Sequence, residues 1–86
     1  MSETPENRIK RLKMRSMRRG IKEMDLILSA YADDRLGTMS EVQIVNYDAL
    51  LSENDQDLYQ WVTGQSEPPS EFSGLISDIS VHAGTK

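Results

Sequence analysis

Residues 21–36 read IKEMDLILSAYADDRL. Ile21, Met24, Ile27, Leu28 and Tyr31 recur at intervals of three and four, which on a 3.6-residue helix gathers them on one face. The stretch therefore reads as an amphipathic helix with that face turned to a core. Gly37 ends it.

The chain upstream continues in the same vein. Residues 5–18 form a second helical segment, with Pro5 acceptable in a first turn. Ile9, Leu12 and Ser16 mark one face, and Met14 and Met17 partly another. The apolar stripe is weak, so much of this surface is expected to face water or a partner. Gly20 separates the two helices and is the residue type best suited to a left-handed position after a helix end.

Downstream, Ser40 reads as an N-cap with Gln43 three residues on, a capping-box pattern. Val42, Val45, Ala49, Leu50 and Leu51 are expected to supply the buried face of that third helix. Asn54 is the next N-cap, and Asp55 and Asp57 suit the positive end of the helix dipole. Leu58, Trp61 and Val62 form the apolar side of the short fourth helix, with Trp61 expected in the core, and Gly64 closes it. Residues 65–70, QSEPPS, are the clearest linker. Ser70 can cap a fifth helix in which Phe72, Leu75, Ile76 and Ile79 keep helical spacing. No alternation or hairpin signal suggests a strand. The expectation is an all-α fold: one compact five-helix bundle, a single small domain over 1–86 with its core at about 6–82 and flexible termini.

With 86 residues the chain holds one domain, and a domain of this size buries only about 60% of its unfolded surface. A deep private active site is hard to house there. Hydrophobic residues make up 37% and charged residues 28%, ordinary values for a globular protein. The absence of cysteine removes disulfides, thiolate chemistry and Cys-ligated zinc together. The longest nearly apolar run, Leu26 to Ala32, is far short of the roughly 20 residues of a membrane span. The first 20 residues lack the apolar segment of a signal peptide. A cytoplasmic protein without membrane insertion is the expectation.

Charge is segregated. Residues 1–23 carry eight Lys or Arg against three Glu, a net +5, and residues 24–86 carry two basic against eleven acidic groups, a net −9. A basic end on an acidic body suggests a face aimed at an acidic partner. A solvated helix is the plainer account of the same charges. Nucleic acid fits poorly, because no aromatic precedes Tyr31 to offer a stacking platform and the acidic body would repel phosphates.

Catalytic constellations are also missing. His82 is the single histidine, with Asp78 four residues earlier, too few ligands for a metal and too poor a context for a triad. Asp33 and Asp34 point to different helix faces. No glycine-rich phosphate cradle or dinucleotide fingerprint occurs. Catalytic, metal and cofactor-binding residues are all expected to be absent. One cluster remains, Arg18-Arg19-Gly20-Ile21-Lys22-Glu23-Met24-Asp25. Gly20 would let another backbone approach closely, Arg19 offers a planar fork of donors, and Glu23, four residues on, could hold that fork. On the residues alone the cluster reads more simply as a glycine-capped helix end with solvated arginines.

The stretch RRGIKEMDLILSAY resembles the signature of the SdhE family of succinate dehydrogenase assembly factors, whose hallmark is R-G-x-x-E. Arg19, Gly20 and Glu23 match it, and Asp25, Leu28 and Tyr31 extend it. The segment DQDLYQWV, with Asp55, Asp57, Leu58, Tyr59 and Trp61, resembles the family's D-x-D-L-aromatic-x-W stretch, Gln56 replacing a common proline. The resemblance covers about residues 8–64. It implies a FAD assembly factor, not an enzyme, that binds the flavoprotein subunit of succinate dehydrogenase, and in some bacteria that of fumarate reductase. There it promotes the bond between a partner histidine and the flavin 8α-methyl group. The FAD belongs to the partner and none is expected to be held tightly here. The partner-binding residues it implies are Arg15, Arg18, Arg19, Gly20, Glu23, Asp25 and Tyr31, with the basic first helix steering the encounter. The expected state is a monomer or weak homodimer. The competing readings are an antitoxin-like regulator that binds a toxin, and a small DNA-binding protein.

Overall fold

Apolar residues at helical spacing leave a short chain little choice but to stack its helices over one shared core. The computed structural model describes residues 3–17 and 19–84. Five helices follow one another: α1 (Pro5–Ser16), α2 (Lys22–Arg35), α3 (Glu41–Leu50), α4 (Asp55–Val62) and α5 (Ser70–Ala83), with a 3-10 turn at Leu36–Thr38 after α2. No strand occurs among the described residues. The radius of gyration, 12.2 Å, matches the roughly 12 Å expected of a folded chain this long.

α2 is the central element and packs on α1, α4 and α5. Ser29 Oγ donates to the Ser16 carbonyl and Lys13 meets Asp33, so α1 runs antiparallel to α2. Tyr31 reaches Asp78 and Asp34 reaches His82, so α5 runs parallel to it. The core comprises Leu12, Met24, Leu28, Tyr31, Ala32, Leu36, Tyr47, Leu50, Leu51, Leu58, Val62, Phe72, Ile76 and Ile79. Tyr47 carries its hydroxyl into this core and meets Ser16 Oγ at 2.7 Å, while Ser16 also bonds the Leu12 carbonyl. Burial pushes the Tyr47 hydroxyl up to about 12. Trp61 takes a half-buried place against the core, 6.3 Å from the Phe72 ring.

Several local signals are realised as read. Ser40 and Gln43 form a complete capping box, Asn54 caps α4 through the Gln56 amide, and Gly64 follows α4 with φ +82°. Others are corrected. The buried face of α3 is Tyr47, Leu50 and Leu51, whereas Val42 and Val45 are 78% and 53% exposed and Ala49 is also exposed. Pro69 precedes α5 and Ser70 is its first residue, without a side-chain cap. α1 stops at Ser16, two residues early, with Met17 already extended. Gly20 is not left-handed: Gly64 and Gly84 are the glycines with positive φ among the described residues. Ala83 is helical and Gly84 caps α5 with φ +78°. The expectation of flexible ends falls on residues 1–2 and 85–86, outside the described residues.

Candidate functional site

The segment between α1 and α2 is where the sequence concentrates its cationic and glycine signals. Met17 and Ile21 are both extended, and Arg19, Gly20 and Ile21 precede the first turn of α2 without being helical. Arg19 therefore lies outside any helix and has no neighbour one turn along in the helical sense. The expected Arg19–Glu23 pairing consequently does not form, because it requires both residues on one helix.

Arg19 turns instead to α4. Its Nε and Nη2 both reach Asp55 Oδ1 at 2.7 Å. Its Nη1 donates to the carbonyls of Arg15 (3.0 Å) and Leu51 (3.2 Å), and Nη2 to that of Glu53 (3.4 Å). One guanidinium thus joins the end of α1, the end of α3 and the start of α4. The carbonyls it takes belong to helix ends, where intrahelical donors run out. The pair is largely buried, with 11% of the Arg19 side chain and 18% of the Asp55 side chain exposed.

The second oxygen of Asp55 accepts the Gly20 amide at 2.5 Å. A Cβ on Gly20 would stand 3.1 Å from that oxygen, close enough that the carboxylate would have to give way. Gly20 is needed here for close approach, not for a left-handed turn. Farther along, the exposed carboxylate of Glu23 hydrogen-bonds the Tyr59 hydroxyl and raises its pKa. Asp55 and Tyr59 lie one turn apart on α4, and together they seat Gly20 and Glu23.

The other expected partner residues are distributed differently. Arg15 bonds Asp48 and, at 3.1 Å, Ser52 Oγ. Asp25 is half-buried and accepts from Ser29 Oγ. Tyr31 is only 2% exposed: it packs in the core and donates to Asp78 at 2.6 Å. Burial, reinforced by that bond, pushes its pKa up. Arg18 lies outside the described residues. Among the described residues the structure brings Arg19, Gly20 and Glu23 to one edge, with Arg15 behind it.

The basic α1 is also less free than its charge suggests. Arg8 meets Glu41, Arg11 meets Glu3 and Asp48, Lys13 meets Asp33, and Arg15 meets Asp48. Hydrogen bonds from Arg11 hold the Asp48 carboxyl below its usual range. The segregated charge is thus substantially matched within the fold, which weakens any steering by α1. His82 meets Asp34 at 2.7 Å, while Asp78 is engaged by Tyr31. Among the described residues no three His, Cys, Asp or Glu gather as a metal site, and no helix is long and apolar enough to cross a membrane.

Sequence reasoning missed Asp55 and Tyr59 as site residues. The only signal was that both occur in the second segment resembling the SdhE family, and nothing local shows that the two segments touch.

Comparison with known proteins matches residues 10–83 to the family described as flavinator of succinate dehydrogenase. A FAD assembly factor SdhE of Legionella pneumophila is 35% identical over 74 residues, 86% of this chain and 94% of that protein. Mitochondrial succinate dehydrogenase assembly factor 2 of Penicillium rubens is 51% identical over 63 residues, 73% of this chain and 20% of that protein. The Danio rerio protein of the same name is 40% identical over 72 residues, 81% of this chain and 46% of that protein. The chain thus spans a fifth to under half of these mitochondrial relatives and nearly the whole of the bacterial one.

Proposed function

The chain belongs to the family of succinate dehydrogenase flavinators, and from that premise we propose that it is a FAD assembly factor. It binds the flavoprotein subunit of succinate dehydrogenase and promotes covalent attachment of FAD to a histidine of that subunit. The observation that carries this reading is the junction of the two signature segments: Arg19-Gly20 and Glu23 are seated on Asp55 and Tyr59 at a single edge. Two segments 36 residues apart that are assembled into one edge suit docking better than an internal turn alone.

The chemistry belongs to the partner, which supplies the histidine and holds the flavin. This chain acts without catalytic groups of its own. By gripping the flavoprotein it fixes an arrangement in which histidine and flavin 8α-methyl carbon meet. Such positioning contributes several kcal/mol without any reacting group being added. The partner is the flavoprotein subunit of succinate dehydrogenase or, in bacteria that have it, fumarate reductase. It acts where that subunit folds, which in a bacterium is the cytoplasm.

Covalent flavin survives denaturation, so in-gel fluorescence of the denatured flavoprotein reads the bond directly. Deleting the gene should dim that band. The wild-type gene should restore it and Gly20→Arg should not. An undimmed band in the deletion strain would overturn the assembly role, and full restoration by Gly20→Arg would remove Gly20 from the contact edge.

A further inference from the structure

The Arg19 guanidinium has its donors committed within the chain, to Asp55 and to the carbonyls of Arg15, Leu51 and Glu53. With 11% of its side chain exposed, it is not a free fork held out to a partner. What the edge presents outward is the exposed Gly20 backbone and the exposed Glu23 carboxylate. Both are held from α4. Asp55 Oδ2 takes the Gly20 amide, and Tyr59, one turn on, takes Glu23.

We infer that Asp55 is a positioning residue for docking on the flavoprotein: fixed by Arg19 through one oxygen, it sets the Gly20 backbone through the other. The inference rests on the assembly-factor reading above. Its physical basis is the geometry at Gly20. Arg19 and Gly20 are non-helical, so no helical ladder fixes their backbone, and a largely buried charged pair supplies the constraint instead. A hydrogen bond from a backbone amide to a carboxylate is among the stronger kinds. Two Arg19 donors on Oδ1 also hold the carboxylate against rotating away. Arg19 on this account acts within the chain, and Asp55, outside the R-G-x-x-E stretch, belongs to the docking apparatus as much as Gly20 does.

The test uses the full chain, labelled with nitrogen-15, and the flavoprotein subunit loaded with FAD. Asp55→Asn keeps the side-chain shape and removes the charge. The Gly20 amide proton should move upfield, and affinity for the subunit should fall about tenfold or more, the scale of one charge-assisted hydrogen bond. Asp57→Asn, exposed on the same helix, should change neither reading. Asp55→Glu, which keeps the charge on a longer arm, should recover part of the affinity. Unchanged affinity in Asp55→Asn overturns the inference, whether or not the amide moves. Should Asp55→Asn lose amide dispersion and prove unfolded, Asp55→Glu serves both readings, and wild-type affinity together with a wild-type Gly20 shift then overturns it. If the wild-type chain itself does not bind the subunit, the assembly-factor reading fails and takes docking with it. The Gly20 shift of the free chain then still decides whether Asp55 fixes this backbone.

Discussion

Arg19 and Arg8 each reach a carboxylate at 2.7 Å, yet the two ion pairs occupy opposite environments. Arg19 and Asp55 lie largely out of water among three helix ends. Arg8 meets Glu41 on the flank of α1, where 73% of the glutamate side chain is exposed. In water the mutual attraction of such a pair is largely offset by lost side-chain freedom and screening. Out of water, removing one partner strands the other without solvent. The lesson concerns α1 as a whole. Its many cations make it look like a binding face, but their pairing along the flank holds the helix lightly, and the decisive cation is the one beyond its end.

The comparison breaks first on Arg19→Ala. Stranding Asp55 and three carbonyls should cost roughly 2–4 kcal/mol, below the full buried-pair figure because Asp55 keeps some water. Urea unfolding at neutral pH measures this, against a total stability of about 4–13 kcal/mol for a domain of this size. A loss no greater than that of Arg8→Ala would mean the two environments do not differ energetically.

A second, uncharged bond in the core gives the scale between these extremes. Tyr47→Phe removes the hydroxyl that meets Ser16, while Ser16 keeps the Leu12 carbonyl. The expected loss is about 1 kcal/mol. The same hydroxyl predicts an alkaline limit. Its folded pKa, about 12, lies above the ordinary tyrosine value of 10.0. A raised acid pKa means the unfolded chain ionises first, so stability holds below about pH 10 and falls as pH climbs toward 12. Melting temperatures across that window should fall for the wild type and less steeply for Tyr47→Phe. Parallel curves would show that Tyr47 is not the group responsible, and Tyr31→Phe would then be the next variant.

Asp48 sharpens the comparison from the acid side. It joins Arg11 and Arg15 on the half-exposed flank, and its pKa is lowered chiefly by the hydrogen bonds from Arg11. A lowered carboxylate pKa contributes stability above the unfolded value near 3.8 and loses it as pH falls through the folded value. Asp48→Asn should therefore cost about 1 kcal/mol or less at pH 7, discounted for exposure. Its stability should begin to converge on that of the wild type as the pH falls below about 4, and the two should meet only below the folded value. A gap that does not narrow at all on acidification would show that the Asp48 carboxylate charge is not the source.

What the sequence made legible was local. The capping box at Ser40 and Gln43, the cap at Asn54 and the stop at Gly64 each depend on residues a turn apart. The core face of α2 followed from periodicity, since Met24, Leu28 and Tyr31 are buried. α3 misled because EVQIVNYDAL is apolar on more than one side. Val42, Val45 and Ala49 make one stripe, and Ile44, Tyr47 and Leu50 make another. Packing against α5 selected the stripe containing Tyr47, whose hydroxyl has a partner in Ser16. The site divides in the same way. Arg19, Gly20 and Glu23 were legible as a motif, but Asp55 is 36 residues from Arg19 and no periodicity links them. The motif was therefore legible, and the partner of Arg19 was not.

The smallest expected effect is the one at Arg8. Arg8→Ala should shift stability by about 0.5 kcal/mol or less at 0.15 M salt, where charges more than about 8 Å apart are screened. Two measurements make so small a number informative. Raising the salt to 1 M should erase the Arg8 effect, because screening then acts within about 3 Å and Glu41 is open to solvent. The same salt should leave most of the Arg19→Ala loss in place, since ions cannot enter the junction between α1, α3 and α4. A salt-insensitive Arg8 and a salt-sensitive Arg19 would invert the comparison. The helix-flank pairs would then be the ones that hold α1, and the Gly20 backbone would owe its place to something other than Asp55.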